Sequence, residues 1–62
     1  MIELIKDRIV ELEKKLEEAQ FRRNEMLELG GEKITSYRRA LDLIKDLEEA
    51  IKFNQELLKK VA

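Results

Sequence analysis

Leu29-Gly30-Gly31-Glu32-Lys33-Ile34-Thr35-Ser36 is the stretch that decides the fold. It holds the only two glycines of a chain that has no proline, and they are adjacent. Glycine takes the left-handed backbone that ends a helix without the Cβ clash other residues meet. Inside an uninterrupted helix each glycine would instead cost about 1 kcal/mol relative to alanine. The pair therefore reads as a hinge. Gly31, Thr35 and Ser36 are all fit to cap the helix that follows, and the sequence leaves the choice open.

Outward from the hinge, each flank carries an apolar stripe at alternating steps of three and four. On the N-terminal side it runs Ile2, Ile5, Ile9, Leu12, Leu16, Ala19, Arg23, Met26. On the C-terminal side it runs Tyr37, Ala40, Ile44, Leu47, Ile51, Asn54, Leu58, Val61. This is the a/d pattern of a heptad repeat, the seam that faces a neighbouring helix. If the chain folds back at its glycines, facing residues have numbers with a constant sum. The pairs Met26–Tyr37, Arg23–Ala40, Ala19–Ile44, Leu16–Leu47, Leu12–Ile51, Ile9–Asn54, Ile5–Leu58 and Ile2–Val61 all share one sum. Small residues fall opposite large ones at Ala19–Ile44 and Arg23–Ala40, as interdigitating layers require. The prediction is an all-α fold, an antiparallel helical hairpin or two-helix coiled coil. Its single domain has helices over about residues 2–29 and 34–61, with a turn over about 30–33.

The outer faces are charged, and 44% of the chain is Asp, Glu, Lys or Arg. Asp42–Lys45, Glu49–Lys52 and Glu56–Lys59 place an acid three residues before a lysine on the second helix. Such pairs contribute about 0.2–0.5 kcal/mol each and keep a surface soluble. With 13 basic and 14 acidic residues, the net charge of -1 gives no general attraction to nucleic acid or anionic lipid. Apolar runs never exceed two residues, where about 20 are needed to span a bilayer, so no membrane partner is expected. The charged start is unlike a secretory signal, and the expected location is cytoplasmic.

Sixty-two residues seldom bury enough apolar surface to stand alone. Without cysteine there is no disulfide, and without histidine a zinc site is not expected. A homodimer is the remaining route. The second helix supports it with more apolar surface than one seam uses. Leu43, Ala50 and Leu57 form a further row at g positions, with Phe53 beside them at c. The alkyl stems of Arg8, Lys15 and Arg22 on the first helix flank that row and cover part of it. Leu27, Ile34 and Leu41 make a smaller patch on the opposite flank near the hinge. Faces this wide belong in a four-helix bundle, and a two-fold dimer is the simplest closed form. Arg23 in a core layer favours hairpins packed antiparallel, because a parallel dimer would put two guanidinium groups in one layer.

Few positions invite a functional reading. Arg23 and Asn54 are the polar members of apolar stripes, where one polar residue fixes register and oligomeric state. A sharper reading makes them a site for an anionic ligand. Arg22, Arg38 and Arg39 join Arg23 near the hinge, with Lys33 in the loop, and arginines suit phosphate or carboxylate partners. Glu25, Glu28 and Glu32 are close enough to neutralise them as ordinary ion pairs. Nucleic-acid binding would call for stacking aromatics as well, and only Tyr37 is near, facing Met26. Phe21 falls on the outermost face, where it is simply exposed or meets something outside the dimer. The usual nucleophile–base pairs need Cys or His, and no glycine-rich phosphate loop is present. No catalysis, metal or cofactor is expected.

Lys6, Ile9, Leu12-Glu13, Leu16 and Arg23 are spaced like a motif of the all-helical chorismate mutases, which the first helix resembles. Glu48-Glu49-Ala50 through Asn54-Gln55-Glu56-Leu57-Leu58 is similar to that family's last helix, with Asn54 near a substrate-binding glutamine. The resemblance implies arginines gripping a dicarboxylate inside a bundle. Lys6 stands where the family has arginine, and nothing here corresponds to the family's third helix. In size and architecture the hairpin also resembles plasmid copy-control RNA-binding proteins, which implies a small dimeric nucleic-acid-binding regulator. Heptads this regular are also what a designed bundle would show, although the outer Phe21 and the polar seam residues favour a natural chain. The expectation taken forward is a self-associating interaction or scaffold module, with itself and another protein as partners.

Overall fold

Heptad stripes on both sides of a glycine hinge should give two helices of similar length lying side by side. The computed structural model, which describes residues 1–31 and 35–62, has this form. Helix α1 spans Ile2–Glu28 and helix α2 spans Thr35–Val61, 27 residues each. A helix of that length is about 40 Å long at 1.5 Å per residue. The molecule measures 45 × 14 × 11 Å, one helix long and two helices wide, so the helices lie antiparallel.

The hinge follows from glycine stereochemistry. Helix α1 closes one residue earlier than the pattern predicts, because Leu29 already leaves helical geometry at φ -87°, ψ 10°. Its N–H donates to the carbonyls of Glu25 and Met26, both at 3.2 Å, which tightens the last turn. Gly30 follows at φ +96°, in the left-handed region, and donates to Leu27 at 3.2 Å. Gly31 is buried for a different reason. A Cβ there would sit 2.5 Å from the Met26 carbonyl oxygen and 3.4 Å from the Tyr37 ring. The first glycine is needed for its backbone angle and the second for space. Glu32, Lys33 and Ile34 lie outside the described residues, and with them the cap of α2.

The core is the predicted seam. Ile5 and Ala19 of α1 and Ile44, Leu47, Ile51 and Asn54 of α2 are buried. Ile9, Leu12, Leu16, Arg23 and Met26 are half-buried, as are Tyr37, Ala40 and Leu58 across the seam. Only Ile2 and Val61, the layer at the open end, are exposed. Ala19, Ile44 and Leu47 form one cluster with Leu12 and Leu16 against it, and Met26 and Tyr37 both border Gly31. Among the described residues, no large side chain is completely shielded from solvent. Two helices make a seam without an inside.

Candidate self-association face

Helix geometry turns the g and c positions of α2 away from its seam, so whatever covers them must come from elsewhere. Leu43 is 51% exposed and Phe53 65% exposed, while Ala50 and Leu57 between and beyond them are half-buried. From α1, Lys15, Glu18 and Arg22 border the row. With Ala19, Leu43 and Leu47 they line an open groove of about 160 Å³. The stems of Lys15 and Arg22 therefore lie where the sequence puts them, yet half of Leu43 still meets water. On the opposite flank Leu27 and Leu41 are exposed to a lesser degree. Ile34, the third member of that patch, lies outside the described residues.

The two polar seam residues behave differently. Arg23 starts in the seam and ends outside it. Its Nε and Nη2 each donate to the Asn24 side-chain oxygen at 3.4 Å, in an exposed position. The long stem is half-buried and the charge is in water, so no charge is desolvated. Asn54 is only 6% exposed. Its Nδ2 donates to the carbonyl of Ala50, one turn back, at 2.7 Å. Its Oδ1 is buried and accepts no hydrogen bond among the described residues. Its layer partner is the aliphatic Ile9, which has nothing to donate. A buried orphan acceptor of this kind costs about 1–3 kcal/mol. That cost fits a residue kept for register rather than for stability.

No protein family, curated protein or solved structure matches this chain. The arrangement therefore rests on its own geometry. Arg23 and Asn54 lie fourteen positions apart in the seam register, which is about 21 Å along the hairpin axis at 1.5 Å per residue. The fold does not bring them to one pocket. Arg22, Arg38 and Arg39 are all exposed on the hinge-proximal third, and Lys33 lies outside the described residues. Among the described residues, no helix is long and apolar enough to cross a membrane.

Besides the terminal Met1, three exposed apolar residues were not singled out by the sequence pattern. Leu4 is 70% exposed and Leu29 is 78% exposed, with Val10 less so. The signal was present in the heptad letters. Leu4 is a c residue of α1 and Leu29, its C-cap, continues the g row, so both fall on the side that carries Arg8, Lys15 and Arg22. Leu4, Arg8 and Glu11 share a shallow groove, and Glu18 shares the other groove with Lys15 and Arg22. One broad face is thus built from the c and g rows of both helices.

Proposed function

We propose that this chain is a small self-associating coiled-coil protein that works as an interaction or scaffold module and performs no catalysis. The observation that carries this reading is the second apolar row of α2, with Leu43 and Phe53 more than half exposed on a protein whose seam fully shields no large side chain. Covering that row removes apolar surface from water at about 25 cal/mol per Å². A second copy supplies the complementary face by symmetry, giving a four-helix bundle with an inside. Phe21, 65% exposed on the outermost face of α1, remains free in such a bundle to meet another protein. Sedimentation equilibrium at micromolar concentration tests the reading. Twice the 7.4 kDa chain mass is the expected result, and a folded monomer overturns it.

A further inference from the structure

The c and g rows of α1 contain a pattern that neither the seam nor the hairpin uses. In chain order they read Leu4, Arg8, Glu11, Lys15, Glu18, Arg22, Glu25, Leu29. All but the leucines are charged, and all eight are exposed. When α1 meets a second α1 running the opposite way, g positions face c positions, as a faces d in the hairpin seam. With a constant sum of residue numbers, Leu4 then meets the partner's Leu29, Arg8 meets the partner's Glu25, Glu11 meets the partner's Arg22, and Lys15 meets the partner's Glu18. Read backward, the row is its own complement. Every base finds an acid, and the two exposed leucines find each other.

We infer that the hairpin dimerises antiparallel, α1 on α1 and α2 on α2, with the two-fold axis crossing α1 between Leu16 and Glu17. This rests on the proposed self-association and adds orientation and register to it. The seam register carries the same axis across to α2. There Leu43 comes level with the partner's Ala50, within one turn of the partner's Phe53, and the apolar g residues lie together, with Asp46 at c beside its own symmetry mate near the axis. Ala50, small and central, lets the two α2 helices approach.

The alternative two-fold dimer, hinge beside hinge, lays α1 on the partner's α2. It sets Glu18 against the partner's Leu43, Glu11 against the partner's Ala50 and Arg8 against the partner's Phe53. It also brings Arg22 onto the partner's Arg39, and its matched contacts are two, Lys15 with the partner's Asp46 and Leu4 with the partner's Leu57. Charge would then cover apolar surface, and like charge would meet like. Antiparallel packing matches every α1 pair and leaves one like-charged contact, Asp46 with the partner's Asp46, in place of three charges on apolar residues. Leu43, Ala50, Phe53 and Leu57 form the inside of the bundle, and the α1 rows close over it with alternating ion pairs.

The chain has no cysteine, so introduced thiols report neighbours directly. Leu4→Cys and Leu29→Cys are made as separate single variants, mixed in equal amounts and oxidised gently. Both sites are exposed, and helicity by circular dichroism confirms that each variant folds. Within one chain the two sites are about 37 Å apart along α1, so a bond between them must join two molecules. The expected product is a covalent dimer containing one chain of each kind, with little linkage in either variant alone. A mixture of Leu4→Cys with Leu57→Cys tests the hinge-beside-hinge arrangement and is expected to stay unlinked.

Sedimentation equilibrium on the same samples separates the two levels of failure. A monomer overturns self-association itself. A dimer that links Leu4→Cys to Leu57→Cys, or forms neither bond, overturns the antiparallel register and leaves association standing.

Discussion

The two helices are equal in length and share one seam, yet they are not equivalent. Helix α2 buries four seam residues and carries a second apolar row, whereas α1 buries two and turns charge outward on the same side. Identical heptad registers thus leave one helix with spare apolar surface and the other with a charged flank. The difference lies outside the a and d positions. Leu43, Ala50, Phe53 and Leu57 occupy half of the flanking positions of α2, whereas between Leu4 and Leu29 the same positions of α1 are all arginine, lysine or glutamate. A seam sets which helices pair; the flanking rows set what the pair does next.

Breaking the comparison at its strongest point means emptying the α2 side of the core. Ile44→Ala removes a buried side chain from the centre of the main cluster and should cost about 3 kcal/mol, enough to unfold most of a protein this small. The matched change on α1, Leu12→Ala, affects a half-buried residue and should cost less than half as much. Urea titrations followed by circular dichroism measure both, and equal losses would erase the asymmetry.

The hinge gives the next largest effect. Gly31→Ala drives a methyl group against the Met26 carbonyl, which is backbone and cannot swing aside. A loss of about 2 kcal/mol is expected, as for overpacked sites generally. Gly30→Ala meets open space and pays only for its left-handed backbone, so about 1 kcal/mol is expected there. Thermal melts of the two variants rank them. The reverse order would mean that angle matters more than space at this turn.

The smallest effect sharpens the contrast within the seam. Asn54→Leu removes the orphan acceptor and adds apolar contact with Ile9, so stability should rise by about 1 kcal/mol. If Asn54 fixes register, the same variant also loses its uniform oligomeric state, seen as a mixture of masses in sedimentation. A gain in stability with a single unchanged mass would leave the residue without that role.

The seam and hinge were legible in the sequence because both depend on short-range rules. Heptad spacing and an adjacent glycine pair fix which residues face each other, and the buried set follows the two stripes residue by residue. Less could be read at Arg23 and Asn54, which look alike as polar letters in apolar stripes. Arginine has a stem long enough to carry its charge out to Asn24, while asparagine is too short to escape and turns back on Ala50. Side-chain length, not polarity, separates them, and only the folded structure shows where each ends. The exposed Leu4 and Leu29 were hidden for another reason. Each is a lone apolar residue in a charged row, unremarkable until the row is set against its own reverse.

The most direct measurement of the central claim, that the spare α2 row holds two copies together, is sedimentation equilibrium on a Leu43→Ser/Phe53→Ser double variant. Both residues are more than half exposed in the single hairpin, so helicity by circular dichroism should be retained. Removing two apolar anchors from one interface should weaken dimerisation by about a hundredfold, roughly 2.7 kcal/mol, so that the monomer predominates at micromolar concentration. A dimer as tight as that of the unaltered chain would contradict the account.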